Sequence, residues 1–479
     1  MQATPSIRFV PPLQWRDVYQ EAELYKAAVR VYTKPLFQWR KALATSTDGK
    51  TLYDLAGRGL RGLEAIHRAL QREAFQFRPA VALSYNFNGK HRTLYVAPWE
   101  ERIVDLLLYR LLSCSLRGWF SPNSYAYRDR DYGLDRCQTR IAAVLRSART
   151  PLYLVKRDIV DYFAAINHDL LLDKLASLAN PADYLFRLLE QRVRFLYQEG
   201  ENIRKATCGV PFGTAIACLF ANIYLTELDR QIESLPHINY FRYADDILVL
   251  SPDRETAGLA AEHLELTLLR LELRTKASHG ANLLISRHPA ADFRFAPAGD
   301  FRHLGLLFRA GGKVSLSRDK LRKIQNLFRF AFRRGRRRWQ KIDDSDARAQ
   351  ALVTIASEAI GKGVRNVAIL DYYLKHVDEE KQLRMLDRWL AEEILSRVFR
   401  GHKRGHFRRI PFRRLRALGL PSLVHRRRLI CRGRIDSPFF VWQRHKATRA
   451  FRGTVARLRR CTGGAAFSPV PEAAAGKCP

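Results

Sequence analysis

The chain runs to 479 residues, of which 47% are hydrophobic, enough to build a sizeable core. Its 83 Lys and Arg against 47 Asp and Glu leave a formal charge of +36, a field that favours a polyanion, nucleic acid first among them, or else serves as a solubility surface. No apolar run is long enough to span a bilayer, the N-terminus lacks the basic-then-apolar order of a signal peptide, and the seven cysteines form no Cys-x-x-Cys pair, so the expectation is a reduced cytoplasmic protein with no membrane span, zinc ribbon or disulfide scaffold.

In chain order, residues 1–45 interleave Trp15, Tyr19, Tyr25, Tyr32 and Trp39 with basic residues and predict a helical extension that packs on the body or touches RNA. Leu60, Leu63, Ile66 and Leu70 recur at helical spacing up to Phe77-Arg78-Pro79. Val81 to Pro98 predicts a hairpin turning at Asn88-Gly89, with Lys90 and Arg92 just past the turn. Trp99 to Trp119 predicts a helix with Ile103, Val104, Leu107, Leu108, Leu111 and Leu112 on a broad apolar face. Leu152 to Val160 is strand-like and carries Asp158 near its end; Asp161-Tyr162-Phe163 follows. Residues 167–200 read as helical, Gly209 to Gly213 as a loop, and Thr214 to Ile232 as a helix.

Asn239 to Arg242 and Ile247 to Leu250 are β-branched and aromatic, so they predict two strands joined tightly through Tyr243-Ala244-Asp245-Asp246. Two adjacent acids at a hairpin tip repel each other, and a divalent cation with oxygen ligands would remove that cost; a solvated turn would also suit them. A strand bearing Asp158 beside a hairpin bearing Asp245 and Asp246 could hold two metal ions, a pairing that serves in-line displacement at phosphorus. Past the hairpin, Glu255 to Leu271 predicts a helix, Leu271 to Lys276 an extended run, and Phe301 to Phe308 a strand. From Ser317 the composition turns basic. Lys320 to Lys341 crowds one predicted helical run, with Phe328, Phe330, Phe332 and Trp339 interleaved, as suits an element tracking a nucleic-acid backbone. Helices are predicted at about 346–361 and 364–400; residues 400–460 are again very basic, and 462–479 has a Gly/Ala/Pro-rich composition expected to be disordered.

Asp158-Ile-Val-Asp-Tyr-Phe163, then Gly209-Val-Pro-Phe-Gly213 leading to Ala221-Asn-Ile-Tyr-Leu-Thr-Glu-Leu-Asp229, then Tyr243-Ala-Asp-Asp246, resemble the palm of a reverse transcriptase. The likeness is to the bacterial branch: group II intron proteins, diversity-generating retroelements and defence-associated enzymes. It implies an α+β right-hand polymerase with fingers (46–150), a palm whose β-sheet carries the catalytic hairpin (151–315) and a helical thumb (316–400), flanked by a helical N-terminal extension (1–45), a basic C-terminal extension (401–461) and a tail (462–479). It further implies an RNA-directed DNA polymerase in the bacterial cytoplasm. In that family two Mg²⁺ ions would be held by Asp158, Asp245, Asp246 and the backbone carbonyl of Ile159, with Lys276 near the leaving pyrophosphate.

Ser124-Tyr-Ala-Tyr-Arg128 resembles the family's Ser-Tyr-Gly-Phe-Arg element, so Lys90, Arg92 and Arg128 are candidates to cradle a triphosphate, as charges of that geometry would be. Phe163 stands where the family sets an aromatic against C2′ of the sugar, which favours dNTPs. Phe212 and Gly213 stand in the loop that meets the template and the incoming base. Arg333, Arg334, Arg336, Arg337 and Arg338 are candidates to grip nucleic-acid backbone. Five positions depart from the family: Asn86 replaces a lysine, Phe212 a glutamine, Ala217-Cys218 a Ser-Pro pair, and His303 an aromatic. The expected partners are a structured non-coding RNA template, a DNA product and dNTPs, with a homo-oligomer left open and no membrane. The expected role is a stand-alone enzyme of phage defence. A group II intron-type maturase without an endonuclease domain, and a diversity-generating enzyme, are the alternatives.

Overall fold

The computed structural model describes residues 12–33, 45–87, 90–128, 132–276, 280–287, 292–360, 365–403 and 405–434. The expected turn at Asn88-Gly89, Trp39, residues 435–461 and the 462–479 tail lie outside the described residues, as do the side chains of Leu60 and Lys90.

A five-stranded sheet organises the molecule, in the order β6-β7-β3-β8-β9: Asn239–Tyr243, Asp246–Ser251, Leu152–Asp158, Ala281–Ile285 and Ala296–Ala298. Central β3 is antiparallel to both β7 and β8. Its neighbours are hydrophobic on both faces because the sheet separates two cores. Val155, Tyr240, Ile247 and Val249 face one; Leu152, Leu154, Phe241, Leu248 and Leu250 face the other.

The first core joins the sheet to helices Glu21–Thr33, Trp99–Ser115 and Ala215–Tyr224. The last of these is apolar all round and buried all round, as a helix between a sheet and other helices must be. Residues 12–33 pack on the body: Trp15, Leu24, Ala27 and Ala28 are buried, and Trp15 Nε1 donates to the Leu70 carbonyl. The Leu52–Gln71 helix starts at a capping box in which Thr51 and Asp54 satisfy each other's backbone amides. The hairpin of β1 (Ala80–Phe87) and β2 (Lys90–Val96) runs in register from Val81↔Val96 to Phe87↔Lys90. The second core takes the Leu134–Ser147 helix, the small sheet of β10 (Asp300–His303), β11 (Leu306–Arg309) and β12 (Val314–Leu316), and the helices beyond Arg318. Mixed antiparallel sheets with these helices form the right-hand polymerase fold.

Several boundaries differ from expectation. Residues 167–200 are not helical throughout. Helices His168–Ala176 and Tyr184–Val193 give way to a hairpin of β4 (Leu196–Glu199) and β5 (Asn202–Lys205), turning through Gly200 at φ +63° and extending the β1 sheet in parallel. Thr214–Ile232 breaks at Leu225 into two helices. Phe301–Phe308 is two strands, not one, because Leu304 and Gly305 both take left-handed φ and close a tight turn. The basic run 320–341 stops as an α-helix at Arg334, where Gly335 leads into a 3₁₀ turn of Arg336–Arg338. The helix expected over 364–400 is interrupted at 377–379, where Asp378 accepts the Val314 amide at 2.7 Å.

Candidate active site

The acidic hairpin is tighter than its sequence reads. Only Ala244 and Asp245 lie outside the strands, and Tyr243 pairs with Asp246. Ala244 takes φ +58°, a left-handed conformation unusual for a residue with a Cβ. Asp246 opens β7 and sits directly across from Asp158, the last residue of β3. The Ile159 amide donates to the Asp245 carbonyl at 3.3 Å, so the strand end and the hairpin tip are stitched together. Ile159 itself is fully buried.

Electrostatics follow from this crowding. Burial pushes Asp246 up to about 6; Lys156 pulls against that, while Asp158 and Asp245 add to it. Asp245 is raised as well, by burial and by its neighbour Asp158. One Asp246 oxygen, Oδ1, is buried without a hydrogen-bond partner, 3.8 Å from Lys156 Nζ and 3.6 Å from Nδ1 of His303. Burial, with Lys156 beside it, pushes the His303 imidazole down to about 3, so the ring is neutral. Lys276 is drawn to the site by backbone pairing. Its amide donates to the Asp158 carbonyl at 2.8 Å, and its Nζ lies 2.6 Å from Asp158 Oδ1.

Beneath the tip lies a group that composition does not single out. Arg242 and Asp229 are both fully buried and form a two-pronged ion pair at 2.6 Å for each prong. Tyr240 donates to the same carboxylate at 2.7 Å. The second guanidinium nitrogen reaches the Asn222 side chain at 3.2 Å and the Ala244 carbonyl at 3.4 Å. Asn222 in turn donates to the Ala126 carbonyl. An arginine thus anchors the strained residue of the hairpin to two helices. The one sequence signal was a charged residue in an otherwise apolar strand, with Asn222 and Asp229 seven apart on one helical face.

A wall of rings stands over the acids. Phe163 meets Phe212 at 5.2 Å and Tyr127 at 6.0 Å between centroids, both edge to face. Arg92 reaches over Phe212 at 5.8 Å from the ring centre. Gly213 takes φ +105°, and a Cβ there would come within 2.2 Å of Leu94. Gly209 takes φ +76° and would meet the carbonyls of Phe163 and Ala164 at about 3 Å. Glycine lets this loop lie flat against its neighbours. Tyr127 belongs to the wall, although the sequence marked only the arginine beside it.

Arg128 stands apart from this group. Its guanidinium donates to the carbonyls of Arg117, Ser121 and Ser124 and stacks 3.5 Å above Tyr132. In this arrangement it fastens the loop that carries Tyr125 to Tyr127; a triphosphate would have to win it from those partners. The arginines of the basic run also divide. Arg338 is held by Glu358 through two hydrogen bonds of 2.6 and 3.0 Å, and Arg336 by Gln340 at 2.6 Å. Arg333, Arg334 and Arg337 are exposed. Phe328 and Phe332 are core residues, not aromatics offered to a ligand, and Phe330 is the exposed ring.

The donors present suit a hard cation. Asp158, Asp245 and Asp246 offer carboxylate oxygens, one of them buried and orphaned, and burial raises both Asp245 and Asp246 despite the lysines beside them. Among the described residues no three such donors already converge on one point.

Residues 84–278 match the family model of reverse transcriptase (RNA-dependent DNA polymerase). The retron Ec83 reverse transcriptase of Escherichia coli is 26% identical over 39% of this chain and 57% of its own length. An uncharacterized 91 kDa protein in the cob intron of Schizosaccharomyces pombe is 23% identical over 38% of this chain and 22% of its own. The chain thus spans little more than half of the first relative and under a quarter of the second. Among solved structures, apo telomerase from Candida tropicalis superposes with a TM-score of 0.40 at 11% identity, over 57% of this chain and 63% of that one.

Proposed function

We propose that the chain is an RNA-directed DNA polymerase that extends a primer with dNTPs, served by two Mg²⁺ ions. One observation carries the reading: three carboxylates, from the end of β3 and the tip of the β6–β7 hairpin, are crowded at one sheet end, with Asp245 and Asp246 raised in pKa and an Asp246 oxygen left orphaned. Asp158, Asp245, Asp246 and the Ile159 carbonyl would hold the ions, which when bound activate a 3′-hydroxyl and stabilise the leaving pyrophosphate. Lys276, beside Asp158, supplies positive charge where the pyrophosphate departs and can give it a proton. Phe163 and Phe212 bound the sugar and base of the incoming nucleotide, and Arg92 faces its phosphates. Asp158→Ala and Asp245→Ala should each abolish dNTP incorporation while the melting temperature holds or rises. A folded variant that still polymerises would overturn the assignment.

For the whole protein, the charge of +36 and the retron relative support work with a structured non-coding RNA in a bacterial cell, and with it the phage-defence role. The intron-encoded relative favours a second reading, a maturase-type reverse transcriptase acting on an intron RNA. Sequencing the nucleic acid that co-purifies with the protein separates them: a short RNA covalently or tightly joined to cDNA supports the first, a spliced or unspliced intron the second.

A further inference from the structure

His303 closes strand β10, where the family's aromatic would stand, and its ring is fully buried. Neither ring nitrogen has a hydrogen-bond partner. Nδ1 lies 3.6 Å from Asp246 Oδ1, an oxygen that is itself buried and unpartnered. Leaving a buried polar group unsatisfied is destabilising, and an aromatic hydrocarbon in the slot would avoid that cost. Three backbone carbonyls of the turn already have donors. The Leu304 carbonyl accepts from Gln138 at 2.9 Å, the Gly305 carbonyl from Ser317 at 3.1 Å, and the Arg302 carbonyl from Lys156 at 3.2 Å. These three bonds hold the backbone of the β10–β11 turn, and among the described residues Asp246 Oδ1 is an unpartnered buried acceptor that lies beside the ring.

We propose that His303 is a positioning residue. Its Nδ1–H donates to Asp246 Oδ1 when the site closes on its cation, turning the other oxygen of that carboxylate toward the ion and tying the β10–β11 hairpin to the catalytic hairpin. This rests on the metal-binding reading above. A buried donor that orients a ligating carboxylate typically changes metal affinity about 10–100-fold when removed.

The test uses the full chain on an RNA template with a dideoxy-terminated DNA primer and the matching dNTP, so that no turnover occurs. Mn²⁺ binding is followed by electron paramagnetic resonance, and folding by thermal melting. His303→Phe should melt at or above the parent temperature yet bind Mn²⁺ at least about 10-fold more weakly. His303→Asn, which keeps an N–H near the Nδ1 position, should stay within roughly 3-fold of the parent. On an Asp246→Asn background His303→Phe should add no further loss, a comparison that still decides if one single variant folds poorly. Parent-like Mn²⁺ affinity in folded His303→Phe, or an additive loss in the double variant, would overturn the inference and leave the metal reading standing. A parent that binds no Mn²⁺ beyond that held by the nucleotide would overturn both.

Discussion

At the residue scale, the site is defined by charges held where they are uncomfortable. Asp246 binds its proton more tightly in the fold, up to about 6, than in the unfolded chain. The stability this proton confers is fully present below about pH 4 and is lost as pH rises through about 6. At pH 7.5 without metal, the ionised carboxylate therefore costs the fold about 1–3 kcal/mol, allowing for its partial exposure. Asp246→Asn should raise stability by that amount at pH 7.5 in chelator and by almost nothing at pH 4; denaturant titrations at the two pH values check it. An increment that does not change with pH would place its origin elsewhere. Phe163 allows a second prediction. Its ring is braced by Phe212 and Tyr127, so it cannot swing away from a 2′-hydroxyl. A steric clash of that kind is worth ~1–3 kcal/mol, so Phe163→Ala should raise NTP use relative to dNTP about 5–150-fold. An unchanged ratio in competition assays would leave Phe163 as a packing residue alone.

At the scale of elements, the β6–β7 hairpin is held less by its turn than by what lies under it. Ala244 is strained, and the restoring contacts come from Arg242, whose charge is matched by Asp229. Burial alone would lower the arginine's basicity, but Asp229 more than offsets it and keeps the guanidinium charged. Removing one partner leaves the other charge buried and unpaired. Asp229→Ala should therefore cost about 3–5 kcal/mol. An apolar pair, Asp229→Leu with Arg242→Met, should recover much of that stability, because a buried ion pair is often matched by hydrophobic packing. It should not recover polymerisation, since the Ala244 carbonyl loses its donor. Denaturation midpoints read against primer extension separate the two effects, and a fully active apolar pair would show that the bridge serves stability only.

At the scale of the whole molecule, the sheet β6-β7-β3-β8-β9 is the shared wall of two cores, and its end bears the acids. The net charge of +36 suits a polyanionic ligand, and each phosphate that pairs with a cation would release a counterion. The arginines of the 333–338 run are not equivalent in this respect. Neutralising Arg333, Arg334 and Arg337 together should flatten the dependence of log affinity on log salt by up to about 3, about 0.7–0.9 for each phosphate left without its arginine. Arg338→Ala should change that slope little, because its guanidinium already answers Glu358. Titrations of RNA binding across salt concentrations test this. Equal slopes for the triple variant and the parent would mean a solvated basic face.

The local features of the site were legible in the sequence because they are written in short-range chemistry. β-branched and aromatic flanks around Ala244-Asp245 demand a hairpin, Asp158 ends an alternating strand, and glycines mark the loop at 209–213 where backbones touch. Phe163 and Phe212 could be placed in that region because their motifs fix their distance from the acids along the chain. What tertiary structure decided is which partner each charged side chain takes, since that depends on segments distant in sequence. Arg128 turns to three carbonyls, and Arg338 turns to a glutamate twenty residues on. His303, read as one residue of a single strand, closes β10 at a turn and is buried beside Asp246, an acid 57 positions earlier. Hairpin β4–β5 forms because β1 offers an open edge, not because residues 196–205 carry a strong pattern of their own. Hydrophobic period and turn chemistry are properties of neighbours in the chain and can be read there. The pairing of buried charges is a property of the cavity that folding makes around them, and it exists only once the two cores have closed on the sheet.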